Sequence, residues 1–425
     1  MERPIPFICR VRLENYRSIE SCDVWLSPLT VLVGPNGSGK SNFLDALAFV
    51  ARALDTNLGT AVEERGGLPE FLRRVPYATE SFSIKVEVAT LWGSLPVTGS
   101  YGLEVGRHDG ISFKVVREDC DLQWEGHRGS WQRQDNSVRV ESSGQPIAVV
   151  EPDRLYLPVA GSQPPAGGLP GGPTTNVPTP YSELFRGLAG MRFYSLGLDE
   201  LRQPRPRTAG ALLGHRGEYL ADVLGTLERE HGGHKERLDA YLAAVLGAAE
   251  PGGAWIDQSF SGPLNERGYT SVLLHTRAGL AGRDVVFGPT SMSDGTIRAA
   301  GVLAALFQPA ALGGRVPLVG IEEPETALHP AAAGVLFDAL TEASQHVQVV
   351  ATSQSADLLD REDLDLASVR SVTMNRGLTI IGNVDSASRQ IVDKRLHTLG
   401  ELMRGNQVTP DSEPSDHAPD ARAST

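Results

Sequence analysis

The chain has 425 residues, 40% hydrophobic and 21% charged, which suits two or three packed units and excludes a fibrous repeat or wholesale disorder. Cys9, Cys22 and Cys120 form an odd set with no C-x-x-C pair, which argues against a disulfide framework or a thiolate metal site. The formal charge of -13 excludes a surface that is basic all over, although a local basic patch stays open.

MERPIPFICR lacks the apolar stretch of a signal peptide and no uninterrupted apolar run approaches the ~18 residues that cross a bilayer, so no membrane association and a cytoplasmic protein are expected. Ile8 to Leu26 alternates in short segments. LTVLVG, Leu29 to Gly34, is a continuous apolar run ending in glycine, as in a buried parallel strand. A helix is predicted next, because Phe43, Leu47, Val50 and Leu54 fall on one face. Between Ser81 and Val150, FSIKVEV, YGLEV, ISFKVV and SVRVES read as an antiparallel β-lobe. Residues 151–180, with AGSQPPAGGLPGGPTTNVPTP, are expected to be a Gly/Pro-rich mobile loop. Helical patterns dominate 181–270, with a break expected at Gly232-Gly233. After the strand-like SVLLHT (Ser271 to Thr276), a helix begins near Thr296. VPLVGI and VQVVAT are buried strands flanking a helix from Ala331 to Ser344, as a right-handed βαβ crossover requires. The expected organisation is an N-terminal lobe at 1–150, the loop at 151–180, a helical insertion at 181–270, a C-terminal lobe at 271–404 and a disordered tail at 405–425.

The most informative segment is GPNGSGKS, Gly34 to Ser41, which fits G-x-x-x-x-G-K-[ST] between a strand and a helix. Such a loop turns the backbone N–H groups of Asn36, Gly37, Ser38, Gly39, Lys40 and Ser41 onto a nucleotide's phosphates at the positive end of a helix. In that arrangement Lys40 reaches the β- and γ-phosphates and the Ser41 hydroxyl takes a place on Mg²⁺. A second segment, VPLVGIEEPETALHP, delivers Glu322 and Glu323 at a strand's C-terminal end, where open α/β sheets bind ligands. Two adjacent carboxylates repel unless a cation lies between them, so Glu322 is assigned to Mg²⁺ through a water and Glu323 to polarising the attacking water. Glu325 reads as a turn or helix-start residue. In SMSDGTIRAAGVLAAL, Ser293, Asp294 and Gly295 lie at the mouth of a helix, and alone S-D-G-T is an ordinary N-cap.

NYRSI, LTVLVGPNGSGKSNFLDAL, SMSDGT, IEEPETALHP and VVATSQSADLLD together resemble the RecF, SMC and OLD-like branch of the ABC ATPases, in particular the compact bacterial AAA-21 type. The resemblance spans Ile8 to Leu54 and Phe287 to Asp360, with weaker matches in RFYSLGLDELRQP and GEYLADVLGTL. It implies an α/β fold: a P-loop NTPase with an ABC-ATPase head, its mixed or parallel core sheet joined by an antiparallel β-lobe and a helical insertion. It implies ATP and Mg²⁺ as cofactors and an ATP-induced homodimer, in which Ser293 and Gly295 of one copy close on the phosphate bound by Lys40 of another. DNA and a co-encoded nuclease or toxin effector are the further partners it suggests, in DNA repair or defence against phage. Arg17 matches a basic residue that reaches the nucleotide in related heads, and it also reads as an exposed strand-end arginine.

This sequence departs from the family at several points. Gln354 stands where the switch histidine is usual and cannot take up a proton, which implies slow turnover. Glu322 replaces the commoner aspartate, and the first glutamine after Ser41 is Gln123, inside the β-lobe, so no Q-loop is assigned. Lys40 and Ser293 are too far apart in sequence for a transporter cassette. No heptad arms are present, and the residues after Asp360 are too few for a Toprim nuclease domain. The leading expectation is an ATP-driven switch with Glu323, Gln354 and Lys40 as its catalytic residues. The alternatives are a non-catalytic nucleotide sensor or scaffold, and an effector built on His108, His127 and His215. Arg202, Arg205, Arg207 and Arg216 cluster in sequence and read as a solvated face or a DNA groove.

Overall fold

Period-two burial builds the first sheet. In the computed structural model, which describes residues 6–74, 77–109, 112–140, 146–162, 178–208, 210–247, 253–261, 268–278 and 283–411, β1 (Ile8–Tyr16) and β2 (Ile19–Trp25) form an antiparallel hairpin. After β3 (Leu29–Val33), α1 (Lys40–Asp55) and α2 (Leu58–Glu63) come β4 (Ser81–Trp92), β5 (Leu95–His108), β6 (Ser112–Trp124), β7 (His127–Gln134), β8 (Ser137–Val140) and β9 (Pro146–Val149). Phe82, Ile84, Val86 and Val88 of β4 are buried while the residues between them are not, which gives that strand one core face. These strands pair antiparallel in the order β2-β1-β4-β5-β6-β7-β8-β9, so the β-lobe includes the first hairpin.

The chain continues through α3 (Leu157–Ser162), α4 (Pro180–Gly190), β10 (Arg192–Tyr194), α5 (Leu198–Arg202), β11 (Arg205–Pro206), α6 (Leu220–Glu230) and α7 (Gly232–Val245). A small sheet of β12 (Ala254–Ser261), β13 (Tyr269–Ala278) and β14 (Arg283–Phe287) follows, with β11 on its edge. Then come α8 (Asp294–Phe307), α9 (Pro309–Leu312), β15 (Leu318–Glu322), α10 (Pro330–Ala343), β16 (Gln348–Ser353), β17 (Val369–Asn375), β18 (Leu378–Asn383), α11 (Ser386–Asp393) and α12 (Leu399–Arg404).

The core sheet runs β10-β15-β16-β3-β17-β18, with every pair parallel except the last. Both its faces are covered, which is why β3 reads as an unbroken apolar run. Leu32, Leu318, Val350 and Val372 face α1 and the β-lobe; Val31, Val33, Val319, Ile321 and Val349 face the packing of α6, α7, α8 and α10. Helices α1 and α8 therefore lie on opposite faces of one sheet. Gln348 ties the two sheets together: its side-chain amide pairs with both backbone groups of Ile8 and donates to Ser27 O.

Several local expectations need correction. The loop expected from residue 151 contains α3, because the buried Glu118 carboxylate accepts the Tyr156 and Leu157 N–H groups at the helix start; residues 163–177 lie outside the described residues. The segment expected to be helical, 181–270, also contributes β10 to the core sheet and β11, β12 and β13 to the small one. Gly232 and Gly233 open α7, the break falling at His231. In the expected tail, residues 405–411 are held on β18 and α11 by backbone bonds from Asp385 N to Thr409 O and Asp411 N to Asn383 O, and by an Arg389–Asp411 ion pair; 412–425 lie outside the described residues. Asp294–Leu312 is long and apolar enough by composition to cross a membrane, and 78% of that stretch is buried inside the protein.

Candidate active site

Register brings the motifs to one end of three neighbouring strands. Glu322 of β15 pairs with Thr352 of β16, which pairs with Leu32 of β3, so Glu323, Gln354 and Gly34 all emerge from the same end of the sheet. This is the carboxyl end of the parallel strands, where a ligand meets the N-terminus of α1. The loop needs its glycines: Gly39 has φ +102°, and a Cβ there would stand 2.0 Å from Thr379 Oγ1. Thr379 in turn donates to Ser38 O at 2.9 Å and shares a hydrogen bond with Ser18. Asn36 and Gly37 are exposed at the loop tip, whereas Ser38 is buried.

Lys40 lies buried at the first position of α1, its Nζ donating to the carbonyls of Gly34 (2.8 Å) and Pro35 (2.9 Å). Burial lowers its pKa below the usual lysine value, opposed by the charges of Glu323 and Glu325. Ser41 is exposed and Glu322 partly so, and neither side chain has a hydrogen-bond partner among the described residues. A hydroxyl and a carboxylate without protein partners fit Mg²⁺, which takes one or two protein oxygens and fills its remaining positions with phosphate and water. Among the described residues there is no group of three or more His, Cys, Asp or Glu that could hold a metal by themselves.

Glu323 is held on both sides. Its φ is +42°, a left-handed conformation that costs a non-glycine residue ~1–3 kcal/mol and persists where neighbours enforce it. Its N–H donates to Thr352 O at 3.0 Å, and its carbonyl accepts Arg298 Nη2 at 3.0 Å. Gln354 Nε2 donates to Glu323 Oε2 at 3.1 Å, which leaves Oε1 available. Beneath this pair lies Glu325, 8% exposed. Its Oε1 accepts the Ser353 hydroxyl at 2.5 Å and its Oε2 is buried without a partner. Burial raises its pKa above the usual carboxylate range against the pull of the Ser353 hydroxyl, and the Glu323 charge adds to the rise. Glu325 lies in the turn after β15, as expected, and its side chain is in addition a buried part of the site.

Arg298 and Glu325 escape a motif search. Arg298 leaves one signal in the sequence, a single charge inside the apolar stretch of α8. Its Nη1 donates to Leu196 O at 2.9 Å and its Nη2 also lies 3.4 Å from Glu322 O, so α8 is bonded to the strand end that carries both acids.

Arg17, at the β1–β2 turn, pairs with Asp45 at 2.9 Å and lies 3.5 Å from Asn42 Oδ1, beside the first turn of α1. With Arg65 and Arg74 it lines a cavity of about 370 Å³. Ser293 is exposed and caps α8, its Oγ accepting Thr296 N–H at 3.1 Å. Gly295 packs so closely on the loop after Glu323 that a Cβ would stand 2.6 Å from Ala327 O. Gln123 is paired within the β-lobe sheet. His108, His127 and His215 belong to β5, β7 and the segment before α6, and they form no cluster with one another. The arginines expected to cluster are used separately: Arg205 pairs with Glu200 and Arg202 with Asp294.

Comparison with known proteins agrees with this geometry. Residues 191–360 match the family model AAA_21, described as "AAA domain, putative AbiEii toxin, Type IV TA system", and residues 7–90 match AAA_15, an AAA ATPase domain. A DNA replication and repair protein RecF of Corynebacterium jeikeium is 41% identical over 63 residues, 14% of this chain and 15% of that protein. An OLD nuclease of Thermus scotoductus is 46% identical over 41 residues, 10% of this chain and 8% of that protein. The fold is similar to a crystal structure of an Smc head bound to the C-terminal winged-helix domain of ScpA, at 13% identity and TM-score 0.55 over 91% of this chain and 99% of the other. These matches support an ABC-type P-loop ATPase of the RecF, SMC and OLD branch. The matched segments span 15% and 8% of the two curated relatives' own lengths, and the overall head fold is similar to that of a solved SMC structure.

Proposed function

We propose that the chain is a magnesium-dependent ATP switch whose two copies close head to tail on the nucleotide and open after hydrolysis. The observation that carries this reading is the convergence of Lys40, Glu323 and Gln354 at one sheet end, with Gln354 bonded to Glu323 at 3.1 Å. In it, the loop N–H groups and Lys40 hold the triphosphate, Lys40 exchanging the Gly34 and Pro35 carbonyls for phosphate oxygens. Ser41 and Glu322 hold Mg²⁺, which when bound neutralises charge on the β- and γ-phosphates. Glu323 Oε1 takes a proton from the water that attacks the γ-phosphorus. A P–O bond to water forms, the bond to ADP breaks, and ADP and phosphate leave. Gln354 orients Glu323 and carries no proton. That α1 and α8 lie on opposite faces of the sheet supports a pairing in which the exposed mouth of α8 meets the nucleotide of a second copy rather than its own. The setting we favour is DNA repair or defence against phage, with a separate effector.

The test is steady-state phosphate release beside equilibrium ATP binding. Glu323→Gln should lose about 10²–10⁴-fold in turnover and still bind ATP, whereas Lys40→Ala should lose binding. A Glu323→Gln protein that hydrolyses as fast as wild type rules out the assigned base. Gln354 motivates one other reading, a nucleotide sensor without turnover; phosphate release at saturating ATP, with and without double-stranded DNA, separates the two.

A further inference from the structure

The mouth of α8 carries an acid where, in the pair proposed above, a phosphate arrives. Asp294 directly follows Ser293, and its side chain is 57% exposed in the first turn of the helix. A carboxylate there suits the helix dipole, but it opposes a triphosphate bearing about four negative charges.

One side chain relieves that opposition. Arg202, the last residue of α5, donates through Nη2 to Asp294 Oδ1 at 2.7 Å and to Met292 O at 3.0 Å, and through Nε to Pro289 O at 3.2 Å. The guanidinium is thus bonded to the residues on both sides of Ser293. Its remaining nitrogen, Nη1, has no partner among the described residues, and the side chain is 24% exposed. Arg133 is a useful contrast. That arginine, wholly buried in the β-lobe, spends all three of its nitrogens on the carbonyls of Asp135, Glu151 and Arg154, as a structural arginine does. Arg202 is fixed along one edge and keeps one donor free.

We infer that Arg202 is a phosphate-contacting residue supplied in trans. Its Nη1 donates to the terminal phosphate held by the Lys40 loop of a second copy, and Asp294 holds the guanidinium in place until that phosphate arrives. The inference rests on the head-to-tail pair, and it gives Asp294 two opposed effects: it positions Arg202 and it competes with the phosphate for it.

The experiment measures the ATP-dependent dimer constant of the full chain by sedimentation, with magnesium and ATP, in a Glu323→Gln background that prolongs the bound state. Adding Arg202→Ala should weaken the dimer about 10- to 100-fold, the worth of one hydrogen bond to a charged group, and leave ATP affinity of the single copy unchanged. Adding Asp294→Asn instead should tighten the dimer, because a competing negative charge is gone. If Arg202 only staples the loop, both substitutions weaken the dimer, and the assignment falls. It falls also if Arg202→Ala dimerises as tightly as its parent, or if Arg202→Ala lowers ATP affinity of the single copy; in each case the pair itself stands. If Glu323→Gln binds ATP and forms no dimer, the pair and this assignment fail together.

Discussion

Replacing Arg298 with methionine keeps the aliphatic bulk in α8 and removes a guanidinium that bonds to Leu196 O at 2.9 Å, Glu323 O at 3.0 Å and, more weakly, Glu322 O at 3.4 Å. Two good hydrogen bonds from a cation are worth about 1.5–3 kcal/mol each. Against them stands the desolvation of Arg298, whose pKa is lowered by burial and whose Nε is buried without a partner. The net loss of stability should be about 1–3 kcal/mol, a drop of a few degrees in Tm. The kinetic effect should be larger. Without Arg298 on its carbonyl, Glu323 can relax from φ +42°, and its carboxylate moves with it. A displacement of about 1 Å costs roughly 10²-fold in rate. The Lys40 loop leaves a different strand and touches none of these bonds, so ATP affinity should hold. Phosphate release across an ATP titration, paired with calorimetric unfolding, separates the two effects. A variant with lowered Tm and unchanged kcat would show that Arg298 braces the helix and does nothing for Glu323.

Glu325 binds its proton more tightly in the folded chain than in the unfolded one, because burial lifts its pKa above the usual carboxylate range. Its ionisation therefore removes stability as pH rises from the ordinary value of about 4.3 through the folded value. The Tm of wild type minus that of Glu325→Gln should be most favourable to wild type near the acid end of this window and shrink as pH rises; a difference independent of pH contradicts this. Gly39→Ala should cost about 1–3 kcal/mol, since the left-handed φ and a Cβ at 2.0 Å from Thr379 Oγ1 force the loop to shift. Its ATP affinity, measured by calorimetric titration, should fall at least ~10-fold, the share of one charge-assisted hydrogen bond; unchanged affinity means that the loop tolerates the displacement.

The parts of the site that depend on local chemistry were readable before any coordinates. Apolar β3 running into GPNGSGKS, and VPLVGI delivering two acids, each state a strand, a turn and a ligand end within a few residues. The crossover through α10 follows from its two flanking strands. What the sequence hides is set by contacts between distant segments. Three residues, Arg192 to Tyr194, are too few to show a period, yet they join the core sheet beside β15. Asp294 and its arginine are 92 residues apart, and Glu325 looks like turn chemistry until Ser353 is seen to bond it inside the protein. Glu118 gives no warning either that it sits fully buried at the start of α3.

The order of the core sheet also bears on how the molecule is made. Strand β3 is bordered by β16 and β17, which are more than 300 residues downstream. A ribosome adding roughly 5–20 residues per second exposes β3 and its glycine loop for roughly 15–60 s before either neighbour emerges. Through that interval α1 has no completed sheet to rest on, and for most of it the two acids do not yet exist. A truncated product ending anywhere before Gln348 would contain the best-known motif in the chain and be unable to assemble the pocket around it.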